Sequence, residues 1–144
     1  MKSAIDTNII SSLFGAEPSG RLLARSTSAD LREEGALVIC GVVYAELLAH
    51  PRVPPKELSE FLRDTDIEAD FATDRELWVE IGIRYSRCAT RRRRAKGGSQ
   101  RRLLADFVIG AHALLRADRL VTFNGADFRS DFPELKIFPA RRTQ

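Results

Sequence analysis

The chain has 144 residues, 44% apolar and 30% charged, enough to bury one core without staples and short for two ordinary domains. Its two cysteines, Cys40 at the end of an apolar run and Cys88 in a helical pattern, exclude a disulfide framework and read as reduced thiols. No apolar stretch approaches the roughly 18 residues of a membrane span, and Met1 to Ile5 lacks the make-up of a secretory leader. A soluble, cytoplasmic, single-domain protein over residues 1–144 is therefore expected.

The net charge of +3 conceals an uneven distribution. Arg91, Arg92, Arg93, Arg94, Lys96, Arg101 and Arg102 form a basic segment without an acid, and the rest of the chain carries 16 basic against 20 acidic residues, net −4. A basic segment on an acidic body suits a polyanion such as RNA; the alternative is a solvated loop.

In chain order, Lys2 to Ile5 predicts a short strand that stops at Asp6. Thr7-Asn8 begins a short helix with Ile9, Ile10, Leu13 and Phe14 on its apolar side, broken at Gly15 to Gly20. Helical spacing through Leu22, Leu23 and Leu31 runs from Arg21 to Glu34, with Gly35 as its stop. Ala36 to Cys40 is continuously apolar, as a strand buried on both faces should be. Val42 to His50 predicts a helix ended by Pro51, and Pro54-Pro55 starts another with Leu58, Phe61 and Leu62 inward. Asp66-Ile67-Glu68 is a short strand. Thr73 or Asp74 caps a long helix whose inner side carries Leu77, Trp78, Ile81 and Tyr85, running into the arginines and failing at Gly97-Gly98. A further apolar helix spans about Leu103 to Ala117. Leu120 to Phe123 and Leu135 to Phe138 are the last strands. The alternation predicts an α/β fold, a mostly parallel central sheet flanked by helices in three layers.

Ligands of such sheets gather at the carboxyl ends of the strands. Asp6 follows the first strand, Glu46 lies one turn into the helix after the second, Asp106 opens the apolar helix, and Asn124 and Asp127 follow the strand ending at Phe123. Glu46 and Asp106 sit among apolar neighbours, where a lone ionised carboxylate is costly unless paired or metal-bound. Each acid has a plain alternative: Asp6 and Asp106 as helix caps, Glu46 in an ion pair with arginine, Asp127 as a turn residue. Taken together, clustered carboxylates need cations, and an all-oxygen set suits Mg²⁺ or Mn²⁺. His50 and His112 lack zinc-site spacing, and His112 reads as a packed side chain.

These residues carry a resemblance. Ala4-Ile5-Asp6-Thr7-Asn8 resembles the opening motif of PIN domains, Val43-Tyr44-Ala45-Glu46-Leu47 the second, Ala105-Asp106-Phe107-Val108-Ile109-Gly110-Ala111-His112 the third, and Val121-Thr122-Phe123-Asn124-Gly125-Ala126-Asp127 the fourth. The likeness covers residues 1 to about 139 in order and is nearest to the VapC toxins of prokaryotic toxin–antitoxin pairs. It implies Mg²⁺- or Mn²⁺-dependent cleavage of RNA, neutralisation by a small antitoxin, and pairing into homodimers. Asn124 stands where many members carry an acid, which leaves Asp127 as fourth carboxylate. On this reading Asp6 and Asp106 bind the metal, Glu46 and Asp127 hold further waters or a second ion, and Thr7, Asn8, Thr122 and Asn124 orient carboxylates or phosphate. The arginine segment grips RNA or the antitoxin. The rival expectations are a non-catalytic nucleic-acid-binding α/β domain and a receiver-like, Mg²⁺-binding signalling domain; for the latter Asp6 lacks an acidic neighbour and Lys136 falls within a strand.

Overall fold

Among the described residues five short segments form strands, all paired in parallel. The structure is a computed structural model that describes residues 1–15, 17–95 and 103–139. Its order is β1 (Lys2–Ile5), α1 (Thr7–Leu13), α2 (Pro18–Glu34), β2 (Ala36–Cys40), α3 (Gly41–Ala49), α4 (Pro55–Asp64), β3 (Ile67–Asp70), α5 (Arg75–Arg94), α6 (Leu104–Arg116), β4 (Arg119–Thr122), α7 (Gly125–Arg129) and β5 (Ile137–Pro139). The sheet runs β3-β2-β1-β4-β5, in register through Ala4↔Val38, Ile5↔Val121, Ile39↔Ala69 and Val121↔Phe138. Parallel neighbours need crossovers, and helices supply them, which makes the three-layer α/β arrangement. From β1 the chain steps outward through β2 to β3, then returns to the other side of β1 for β4. The strand order therefore reverses between β1 and β4, where open α/β sheets leave a crevice for ligands.

Strand burial follows from this layering. In β2, Leu37, Val38, Ile39 and Cys40 are all buried, because helices cover both faces. Gly35 ends α2 at φ +153°, where a Cβ would lie 1.9 Å from the Met1 carbonyl oxygen. That close approach lets the Ala36 N–H donate to the Met1 carbonyl at 2.9 Å, starting β2 against the first residue of the chain. Among the described residues no helix is long and apolar enough to cross a membrane, and both cysteines are free.

Several expectations shift. The second helix starts at Pro18 rather than Arg21, since proline suits a first helical position; Leu22 stands 71% exposed and Leu31 is buried. Asp66 adopts φ 55° ahead of β3, which then runs Ile67–Asp70. The long helix buries Leu77, Ile81 and Arg84, while Trp78 lies on its solvent side, 49% exposed. Arg84 tolerates the interior because its fork is filled: Nε donates to Glu80 at 2.7 Å, Nη1 and Nη2 to Glu134 at 2.7 and 3.0 Å, and Nη1 also to the Asp131 carbonyl at 2.9 Å. The guanidinium also lies 5.1 Å from the Phe132 ring centre. Gly97-Gly98 falls outside the described residues.

Phe132 in turn packs on α6 at Gly110, where an added Cβ would come within 2.4 Å of the ring. Phe132 is 1% exposed and flanked by Phe107, so it has little room to retreat. Gly110→Ala should lower stability by about 1–2 kcal/mol despite alanine's better helix propensity, seen as a melting temperature lower by roughly 2–8 °C. An unchanged or higher melting temperature would contradict this packing.

Candidate active site

Asp6 stands where β1 ends. Its extended backbone makes it the N-cap of α1, with Oδ1 accepting the Thr7 N–H at 2.7 Å. Oδ2 accepts the Thr122 hydroxyl at 2.7 Å, across the crevice at the end of β4. That hydroxyl itself accepts from Asn8 Nδ2 at 3.3 Å and from the Asn124 N–H at 3.0 Å. With both lone pairs engaged, its one proton is committed to Asp6. Asn8 Oδ1 accepts the Phe123 N–H at 3.3 Å, and the Asp6 N–H donates to the Val121 carbonyl at 3.0 Å. The Thr7 hydroxyl donates to Glu46 Oε2 on α3. Thr7, Asn8, Thr122 and Asn124 thus form one hydrogen-bonded frame around Asp6 and Glu46.

The carboxylates feel one another. Asp6 is 7% exposed. Burial raises its pKa, the hydrogen bonds from Thr122 and Thr7 pull it down, and the charges of Asp106 and Glu46 raise it again, from an ordinary 3.8 to about 6. Asp106 and Glu46 are half-buried, on α6 and α3. Three acids separated along the chain therefore act on one spot beside the crevice.

The plain alternatives divide. Asp6 does cap its helix. Asp106 does not: Leu103 holds the N-cap position and Asp106 lies within the first turn of α6. Glu46 has the Thr7 hydroxyl as its hydrogen-bond partner. Asp127 lies exposed in the first turn of α7, and its charge is not among the principal influences on Asp6. Among the described residues no three His, Cys, Asp or Glu side chains form a ready-made metal cage.

The arginines also divide. Arg91 to Arg94 make up the last turn of α5, where positive charge complements the helix dipole. Arg91 is tied to Asp131, whose side chain is 2% exposed, Arg92 is half-buried, and Arg93 and Arg94 are exposed. Lys96, Arg101 and Arg102 lie outside the described residues.

Sequence reasoning missed the partner of His112. This side chain is packed, as expected, at 1% exposure, but its Nε2 lies 3.0 Å from Asp70 Oδ2 at the end of β3. Burial opposes ionisation of Asp70, yet the Ala72 N–H, His112 and Arg116 outweigh it and hold the carboxyl below its usual range. Asp70 and His112 are 42 positions apart, with no local pattern to announce the pair. A shallow depression of about 680 Å³ lies at the opposite edge of the sheet, against Gly35, Ala36 and Ile67, away from the acids.

Solved structures share the fold. A chain of VapBC2 from Rickettsia felis, bound to a DNA fragment from their promoter, aligns with a TM-score of 0.66 at 20% identity, covering 96% of this chain and 98% of that one. VapBC-1 from nontypeable Haemophilus influenzae gives 0.64 at 22%, over 97% and 98%, and FitAcB from Neisseria gonorrhoeae 0.63 at 20%, over 96% and 97%. No curated protein matches the chain in sequence. The sequence model of the PIN domain matches residues 4–130, from the strand that delivers Asp6 to the helix after β4, and the chain belongs to the PIN domain family.

Proposed function

We infer that this chain is a divalent-metal-dependent endoribonuclease, acting as one domain in the cytoplasm as the toxin of a type II toxin–antitoxin pair. The observation that carries the chemistry is the convergence at the crevice of Asp6, buried and held through both oxygens, with Glu46 and Asp106, whose charges act on it. The likeness to chains of VapBC complexes supports a small protein antitoxin as partner. Pairing into a homodimer belongs to the same reading.

The residues fit a Mg²⁺ or Mn²⁺ ion. Donors are oxygen only, and each hydrogen-bonded carboxylate oxygen keeps a further lone pair. Bound there, such an ion supplies charge neutralisation at phosphorus and a water of lowered pKa. Asp6 and Asp106 would hold it directly. Glu46, its Oε2 fixed by Thr7, would take a proton from water, and Asp127 would orient further water. Thr122 and Asn8 keep Asp6 in place, and Asn124 fixes Thr122 through its N–H. In-line attack would form the new P–O bond as the P–O3′ bond breaks, leaving a 5′-phosphate and a 3′-oxygen that takes its proton from solvent water.

Asp6→Asn and Asp106→Asn should each cut RNA cleavage by roughly a hundredfold or more, with circular dichroism unchanged. Full activity in either variant, or in excess EDTA, would defeat the metal reading; a non-catalytic binder would instead bind RNA equally with and without metal. A second test uses the raised pKa of Asp6. Because the folded value near 6 exceeds the unfolded 3.8, this group's contribution is fully present below the unfolded value and is lost as pH rises through about 6. In EDTA the protein should lose about 2 kcal/mol of stability from this group between about pH 4 and pH 8. Asp6→Asn should flatten that loss, and Mg²⁺ or Mn²⁺ at the higher pH should restore stability to the unmodified chain. Thermal melts at the two pH values decide it; identical pH profiles for both proteins would contradict it.

The arginines make a third. Arg93→Ala and Arg94→Ala should weaken RNA binding and each reduce the salt slope by about one, without changing the melting temperature. Arg91→Ala should lower stability by up to about 1 kcal/mol through loss of the Asp131 contact. Salt-dependent RNA affinities unaltered in the first two variants would make this turn a solvated helix end.

A further inference from the structure

We propose that a cleft beside the carboxylates seats one nucleobase of the RNA, stacked on Trp78 and read by Asp70, with His112 holding Asp70 in place. The choice of ligand rests on the ribonuclease reading; the geometry of the cleft does not. The cleft, about 210 Å³, lies at the carboxyl ends of β2 and β3, lined among others by Cys40, Val42, Ala45, Asp70, Trp78 and His112. It is smaller than the roughly 300 Å³ at which drug-sized pockets begin, with mostly apolar walls and few polar groups, proportions that suit one flat heteroaromatic ring.

Its position matches its use. β2 pairs directly with β1, so the cleft lies one to two strand spacings, about 5–10 Å, from the edge where Asp6 ends β1. A base adjoining the scissile phosphate spans that gap. α3 links the two places, since Ala45 lines the cleft and Glu46 is the next residue.

Two features favour a base over a bare apolar guest. Trp78, the chain's sole tryptophan, stands 49% exposed at the cleft, a stacking surface any base can use. Asp70 is the hydrogen-bonding group. Its Oδ1 accepts the Ala72 N–H at 2.9 Å and its Oδ2 lies 3.0 Å from His112 Nε2, yet its side chain remains 21% exposed. Each oxygen keeps a lone pair for a guest. A fixed carboxylate selects bases with N–H donors, guanine foremost, because its ring N–H and exocyclic amine lie side by side.

The lone tryptophan provides the readout. The four nucleoside 5′-monophosphates are titrated in EDTA, where no cleavage occurs, while tryptophan fluorescence is followed. The proposal expects a saturable change, tightest for the guanosine nucleotide. Asp70→Asn should abolish that preference. Ala45→Phe, which fills the cleft from an exposed rim position and spares the polar groups if Asp70→Asn misfolds, should weaken binding about tenfold or more. On RNA with metal, Ala45→Phe should raise KM and change the base preferred beside the cut. A nucleotide response without any cleavage would keep the cleft and remove the nuclease reading. Cleavage without a response, an equal response to all four nucleotides, or a response unaltered by Ala45→Phe would overturn the cleft. Fluorescence that tracks protein concentration instead of nucleotide would place a second copy of the chain on Trp78, and would overturn it too.

Discussion

Asp6 is buried against its own electrostatic interest, and much of the crevice is arranged around that fact. Two acids on other helices repel it, while an N–H and a hydroxyl hold both its oxygens in place. The Thr122 hydroxyl cannot turn away, because two donors occupy its lone pairs. A carboxylate held so firmly among like charges is the ground for the proposed cation site, and the fold supplies the place. The strand order reverses between β1 and β4, and the two residues that face each other there are Asp6 and Thr122.

That arrangement explains how much of the candidate site's placement was legible in the residues. Asp6 and Glu46 come after apolar runs that could only be buried strands, and Asp106 heads a helix whose small residues must pack closely. Once the sheet is parallel, its carboxyl edge collects the residues just past each strand. Asp127 also lies just past a strand, and the same reasoning reaches its location, where α7 leaves it exposed.

Long-range polar contacts were not legible. On α5, apolar spacing pointed inward for Trp78, yet the buried stripe continues from Leu77 and Ile81 to Arg84. An arginine can hold such a position only if its partners are in place, and Glu134 lies 50 positions away. Displaced from that stripe, Trp78 faces solvent beside the cleft. Asp70 and His112 join through the same kind of distant pairing. The arginine segment, a single feature in the sequence, proves heterogeneous where it is described: Arg91 anchors Asp131, and Arg93 and Arg94 face solvent.

The account depends on the acids sensing one another, which ¹³C NMR of the aspartate carboxyl groups in the metal-free protein measures directly. Asp6 should titrate near 6 rather than 3.8, and its midpoint should fall in both Glu46→Gln and Asp106→Asn. An ordinary Asp6 midpoint, unmoved by either substitution, would contradict the account at its root.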